Sequence, residues 1–154
     1  MSDQEHFAVI PLAQLAWPVS IALPRRRFRL FVAADTSGLS THALSNFASA
    51  ALSRGMVYIC AWGRGCERFH DIVDEIVAED ALGKRRFVGP TPNDVVMTTW
   101  HEDESVEEAL SFFAISAIPS EGFADDSDFR LVICLGNPRW AQAADRLLQS
   151  AKFL

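Results

Sequence analysis

The chain has 154 residues and a mass of 17.1 kDa, with 49% hydrophobic and 22% charged residues. This composition is typical of one globular domain and excludes a disordered chain, a coiled coil and a disulfide-bonded miniprotein. The 20 acidic and 14 basic residues give a net charge of −6. That charge argues against nucleic-acid binding, because such affinity comes mainly from basic patches that contact phosphates.

Residues 1–24 are predicted to form an irregular arm. Their apolar stretch, residues 7–23, is interrupted by Pro11 and Pro18 and closed by Pro24. Acidic residues precede this stretch, so it lacks the positive start of a secretion signal, and its prolines make it a poor membrane span. We expect the arm, with Trp17, to pack either on the domain or on a partner subunit in a homodimer. Residues 25–154 are expected to form a single α/β domain.

Four short apolar runs then predict buried β-strands, and four segments with helical spacing alternate with them. The predicted strands cover residues 28–34, 56–61, 94–99 and 129–135. The predicted helices cover residues 41–54, 66–82, 105–117 and a last segment after residue 137. Ser105 and Glu108 form a capping box, and Asn137 can cap the last helix ahead of Pro138.

The predicted strands are almost continuously apolar, so both of their faces should be buried by helices. Alternating strands and helices of this kind form a parallel sheet with right-handed crossovers. We therefore predict an α/β fold: a small Rossmann-like or flavodoxin-like three-layer sandwich with a mostly parallel sheet of four or five strands.

Ligands of such sheets bind beyond the carboxyl ends of the strands. The loops expected there contain the candidate ligand-binding residues Asp35, Ser37, Trp62, Gly63, Arg64, Gly65, Glu67, Thr99, Trp100, His101 and Asn137. The segment 63–66 leads into a helix whose free N–H groups and dipole favour an anion. Neither the dinucleotide nor the P-loop fingerprint is present. Tight turns and helix caps need the same residue types, so the pattern indicates a location and no particular reaction.

Three residues are candidate catalytic groups: Cys66, His70 and His101. A thiol at a helix start acquires a lowered pKa, and His70 lies one turn further on the same flank. Cys66 also suits an apolar helix face, which makes it a core residue instead. The two histidines with a carboxylate would suit a catalytic metal only if their loops meet. No metal-binding motif is present, so we expect neither a metal nor a cofactor.

The chain contains three cysteines. This low, odd number argues against a disulfide framework and fits a reducing compartment. We therefore expect a cytoplasmic protein that is not bound to a membrane.

Residues 28–40 resemble the first strand and loop of a von Willebrand A domain, whose metal site has the pattern D-x-S-x-S. Asp35 and Ser37 match this pattern. The second serine should stand at Leu39, and Ser40 comes one place late. The resemblance implies a binding domain that depends on a divalent metal held by Asp35 and Ser37. It also implies a threonine from a later loop, for which Thr98 or Thr99 could serve.

A second resemblance covers most of residues 57–140. The segments CAWGRGCERFHDIVDE, DVVMTTWHEDES and LGNPRW resemble a family of small bacterial proteins of unknown function. This resemblance implies a bacterial origin and a stand-alone domain, and it implies no activity.

Because no catalytic or cofactor motif is complete, our leading hypothesis is a non-enzymatic binding or regulatory module with its site at the carboxyl edge of the sheet. Its acidity suits a basic protein partner, and a second copy of the chain is the other candidate. The alternative is an enzyme that binds a small anionic or phosphorylated substrate at residues 63–66. In that enzyme Cys66, His70 or His101 would transfer protons or attack the substrate. Metal-dependent binding through Asp35 and Ser37 is the third hypothesis.

Overall fold

The structure is a computed structural model that describes residues 6–91 and 93–151. Its strands are β1 (Phe7–Leu12), β2 (Phe28–Ala33), β3 (Met56–Trp62), β4 (Met97–His101) and β5 (Arg130–Leu135). Its α-helices are α1 (Thr41–Ser53), α2 (Cys66–Leu82), α3 (Val106–Ile115) and α4 (Pro138–Ala151). A 3-10 helix, Glu121–Asp126, precedes β5. In the part of the chain that is described, no helix is long and apolar enough to cross a membrane.

All five strands are parallel, in the order β1-β5-β2-β3-β4. The predicted α/β fold with a parallel sheet is therefore confirmed. The chain runs outward from β2 through β3 to β4 and then returns to β5, on the other side of β2. The carboxyl ends of β2 and β5 thus mark the point where the connections reverse, which is where open α/β sheets bind ligands.

The sheet lies between two helical layers, with α1 and α2 on one face and α3 and α4 on the other. Successive side chains of β2 alternate between these layers, as the pleat of a strand requires. Leu30 and Val32 join the first apolar cluster, whereas Phe31 and Ala33 join the second. Each face therefore has its own core, and the arrangement is a three-layer sandwich.

The N-terminal arm is not irregular throughout, and this part of the prediction was wrong. Residues 7–12 form the edge strand β1, in register with β5. Pro11 lies within this strand, and an edge strand tolerates proline because one of its sides needs no N–H donors. The following segment crosses back to β2 without a regular helix and buries Trp17 against Phe28 and Phe47, with ring centroids 5.6 and 6.1 Å away. This segment covers the sheet where a crossover helix would otherwise lie.

Strand β4 begins at Met97, three residues later than we predicted. Asp94, expected to start the strand, instead accepts hydrogen bonds from Thr91 and Gly122, each at 2.9 Å, and closes a turn. The strand also ends later than predicted, at His101, a residue that we expected in the loop after it. The other predicted boundaries agree with the structure to within two residues.

Trp17→Ala should lower the free energy of unfolding by about 3–5 kcal/mol, because it removes a large side chain from a packed core. Urea denaturation followed by circular dichroism measures this change. Val19→Ala is the matched control: Val19 is 82% exposed, so its loss should cost less than about 0.5 kcal/mol. A cost below about 1 kcal/mol for Trp17→Ala would show that the arm contributes little to the fold.

Candidate functional site

The glycines of the β3 loop pack against the neighbouring β2 loop. Gly63 and Gly65 have φ values of +112° and +84°, which side chains other than glycine rarely adopt. A Cβ on Gly63 would lie 2.2 Å from the Ala34 carbonyl oxygen, and one on Gly65 would lie 2.8 Å from the Ser37 amide nitrogen. The close approach that these glycines permit is therefore to the protein's own backbone.

The same packing bears on the expected anion seat at the start of α2. The Cys66 N–H, one of the donors expected to face a ligand, donates to the Gly63 carbonyl oxygen at 3.1 Å. The side chains of Arg64 and Glu67 are exposed, with opposite charges. The segment thus forms a tight turn, and this turn does not by itself make a phosphate-binding site.

Asp35 and Ser37 bind each other. The Asp35 Oδ1 atom accepts hydrogen bonds from the hydroxyl and from the backbone N–H of Ser37, and these bonds lower the pKa of Asp35. The strand that carries Thr98 and Thr99 lies two places from β2, about 10 Å away. Within residues 6–91 and 93–151, no group of three or more His, Cys, Asp or Glu side chains is arranged to hold a metal.

Of the two roles considered for Cys66, the structure favours the core residue over the activated thiol. Its side chain is 1% exposed in the core under α2, and burial raises the pKa of the thiol instead of lowering it. Desolvation of the thiolate is the largest cause of this shift, and the nearby carboxylates of Glu102 and Glu67 add to it. Cys60 and Cys134 lie inside strands, where burial raises the pKa of each to about 12.

His70 and His101 lie on opposite faces of β4. Because side chains alternate along a strand, Thr98 and Trp100 face α2, whereas Thr99 and His101 face α3. From α2, the His70 Nε2 atom lies 3.0 Å from the Thr98 hydroxyl, and its ring centroid lies 4.5 Å from that of Trp100. The sheet separates the two histidines, so the candidate catalytic residues do not share a pocket.

Each buried histidine is fully engaged in hydrogen bonds. The Nδ1 atom of His70 lies 3.0 Å from Asp71, and its Nε2 atom lies 3.4 Å from Asp74. The Nδ1 atom of His101 lies 2.7 Å from Glu104, and its Nε2 atom lies 2.9 Å from a threonine hydroxyl of β4. These contacts fix both rings and are typical of structural histidines.

Trp62 fastens the loop after β4 to the start of α4. Its indole N–H donates to the Glu104 carbonyl oxygen at 2.8 Å, and its ring contacts Trp140 edge-on at 5.0 Å. Asn137 caps α4 by accepting a hydrogen bond from the Arg139 N–H at 2.9 Å, which confirms the predicted cap. These aromatic and polar groups at the carboxyl edge therefore make contacts that stabilise the fold.

The β4 edge has a different character. Among the described residues, β4 pairs only with β3, so its outer side is free of any strand. Trp100 and Met97 are 44% and 37% exposed. An open groove of about 360 Å³ follows this strand, lined by Thr98, Thr99, Trp100, His101, Glu104 and Phe112. We call the groove and strand together the β4 edge site.

Acidic groups border the β4 edge site. Glu67, Asp71 and Asp74 share one face of α2, at spacings of four and three residues. Asp71 and Asp74 contact His70, which packs against Trp100 of the site. The side chains of the two aspartates are 67% and 50% exposed. The exposed aromatic strand therefore lies next to a row of solvent-facing carboxylates.

Two aspartates that were not among the predicted site residues organise the opposite, amino edge of the sheet. Asp80 accepts hydrogen bonds from the Arg86 and Phe87 N–H groups at 2.9 and 2.8 Å. Burial alone would raise the pKa of Asp80, but these backbone donors outweigh it and the pKa is lowered. Backbone donors from Gly122 and Thr91 likewise lower the pKa of Asp94. The signal in the sequence that could have identified them is an aspartate beside a loop rich in glycine and proline.

We expect all three cysteines to resist modification in the native protein, because burial raises their pKa values and shields their sulfur atoms. Ellman's reagent at about pH 8 should release almost no chromophore from the folded protein and three equivalents after unfolding in urea. If one cysteine reacted fast in the folded protein and the Cys66→Ser variant lost this reaction, Cys66 would be an activated thiol.

Asp94→Asn should lower stability at neutral pH, and the difference from the wild type should shrink in acid. A carboxylate whose folded pKa is lowered stabilises the fold fully above its unfolded value near 3.8, and this contribution is lost as the pH falls through the folded value. Urea midpoints between about pH 7 and pH 2.5 test this. Asp103→Asn, at an exposed position, is the control, and a difference that is independent of pH would contradict the assignment.

No curated protein and no solved structure is significantly similar to this chain. A family match covers residues 12–151, nearly the whole chain, from the first crossover to the end of α4. The chain therefore belongs to the family described as a domain of unknown function, DUF7684.

Proposed function

We propose that this protein is a non-enzymatic binding module whose β4 edge site pairs with an extended, basic segment of another protein. The observation that carries the proposal is the free outer side of β4, with Trp100 and Met97 exposed along it. An edge strand offers a row of unpaired N–H and C=O groups to an incoming strand. Addition of a strand to a sheet is a recurrent mode of peptide recognition.

The side chains around β4 supply the specificity that backbone pairing lacks. Trp100 offers a large apolar surface. The ring of His70 packs against the indole, with 4.5 Å between the two ring centroids. A tryptophan held in this way is a typical binding hot spot. The groove on the other side of the strand, toward Phe112 and Glu104, accepts the alternate side chains of a paired peptide.

Charge selects the kind of segment. Asp71 and Asp74 stand beside Trp100, and Glu102 and Asp103 follow directly after β4. Carboxylates beside the strand and just beyond its end repel acidic segments and attract lysine or arginine side chains. This supports a basic partner and agrees with the net charge of −6.

The geometry favours binding over catalysis. The groups that could transfer protons or attack a substrate are buried, hydrogen-bonded within the protein, and divided between the two faces of the sheet. A catalytic base must reach the proton that it removes from a bound substrate. At the β4 edge site, the exposed groups are instead an indole, a thioether and carboxylates.

Selection from an unbiased library of 12-residue peptides tests the proposal. We expect enriched peptides to alternate basic with β-branched or aromatic residues and to bind with affinities that fall at high salt. Trp100→Ala should weaken a selected peptide by about 2 kcal/mol, or roughly 30-fold in Kd. Titration calorimetry measures this change, and hydrogen exchange should show new protection of the β4 amides in the complex.

Ile115→Ala is the matched control, since Ile115 is a 73% exposed apolar residue on α3, and it should leave Kd unchanged. Asp71→Asn with Asp74→Asn should reduce the salt dependence of binding. Peptides that bind Trp100→Ala as tightly as the wild type would refute the proposed site. A dimer seen by light scattering and dissociated by Trp100→Ala would assign the same edge to a second copy of the chain, and the basic partner would then be wrong.

A further inference from the structure

A second cavity lies at the amino edge of the sheet, remote from the β4 edge site. It has a volume of about 390 Å³, between the end of α1, the starts of β2 and β3, the loop after α2 and the 3-10 helix. This volume falls within the range of small-molecule pockets, about 300–1,000 Å³. Among its lining residues are four arginines and no carboxylate: Arg26, Arg27, Arg54 and Arg86.

Two of these arginines are already neutralised. Arg27 lies 3.2 Å from Asp126 and stacks over the ring of Phe123. Arg86 lies 3.6 Å from Asp80 and stacks over Phe87, 4.9 Å from the ring centroid. These contacts hold both guanidinium groups at the cavity wall and make them part of its frame.

The other two are uncommitted. Arg26 and Arg54 are exposed, and within the described ranges neither has a carboxylate partner. Gly55 brings them together: a Cβ there would lie 2.1 Å from the Arg26 carbonyl oxygen. The chain turns from α1 into β3 at this glycine, whose φ is +107°. Two unpaired positive charges therefore meet at one cavity of an acidic protein.

The rest of the lining is apolar. Phe87 and Val88 are half-buried, while Met56, Val96 and Phe123 are buried behind them. The two loops that carry these groups are fixed by the hydrogen bonds to Asp80 and Asp94. A pocket that combines fixed apolar walls with a few convergent charges is organised for a small organic ligand.

We propose that this cavity binds a small organic anion, with a phosphate or carboxylate head held by Arg26 and Arg54 and a flat apolar body against Phe87 and Val88. Guanidinium groups bind either head through paired, charge-assisted hydrogen bonds. The proposal concerns a different edge of the sheet from the peptide site and does not depend on it.

Titration calorimetry with 1-naphthyl phosphate, 1-naphthoate, 1-naphthol and inorganic phosphate tests the cavity. We expect a naphthyl compound with an anionic head to bind at least about tenfold more tightly than naphthol or phosphate alone. The phosphate and carboxylate compounds distinguish the two heads. The bound probe should shift the amide resonances of Gly55 and Val88.

Arg26→Gln with Arg54→Gln should weaken this binding at least about tenfold. It should leave the melting temperature unchanged, since neither side chain has a hydrogen-bond or ion-pair partner among the residues that the structure describes. Arg64→Gln with Arg146→Gln is the matched control, with the same change of charge at two other exposed positions, and it should bind as the wild type does.

Three results would overturn the proposal. One is the absence of binding by every probe up to about 5 mM, and another is equal binding by the wild type and the Arg26/Arg54 variant. The third is a single-stranded oligonucleotide that binds more tightly than any naphthyl compound and needs the same two arginines. That outcome would make the cavity a contact for a nucleic-acid backbone.

Discussion

A parallel sheet must be covered on both faces, and this constraint decides where the protein can act. Four helices and the crossover that contains Trp17 bury the two faces, and β5, β2 and β3 are paired on both sides. Only the perimeter of the sheet remains for binding. One free strand edge, β1, contains Pro11, which lacks an N–H and discourages pairing. The other edge, β4, has no proline and exposes Trp100, so the two edges are not equivalent.

Charge divides the same perimeter. Carboxylates of α2 and of the loop after β4 border one side, whereas Arg26, Arg54 and Arg86 surround the cavity at the amino edge. A net charge of −6 describes the field far from the protein, but charges beyond about 8 Å are screened at physiological salt. The charges close to each edge, and not the net charge of the protein, therefore act on a ligand that binds there. The sequence does not show that Arg26 and Arg54, which lie far apart along the chain, share one cavity.

The helices and the inner strands could be predicted because their signals are local. Gly55 and Gly83 end the first two helices, Ser105 and Asn137 begin the last two, and buried strands read as short apolar runs. Strand β1 was missed because its pairing with β5 spans more than a hundred residues, and Pro11 masked its local signal. The sequence likewise could not predict which side chains meet on neighbouring strands. They depend on strand order, which the sequence pattern leaves open.

The bounds of β4 show how the position of a residue relative to a strand end changes its functional interpretation. An apolar run that begins at residue 95 predicts a strand there, but the Asp94 carboxylate is held by Thr91 and Gly122, and pairing starts only at Met97. The strand then ends at His101 instead of before it. A histidine in a loop can turn toward any neighbour, whereas one inside a strand is fixed to a single face by the pleat. His101 is thereby directed to α3 and away from His70, so the two histidines do not form a catalytic pair. Trp100, on the opposite face of the strand, lies exposed beside the carboxylates of α2.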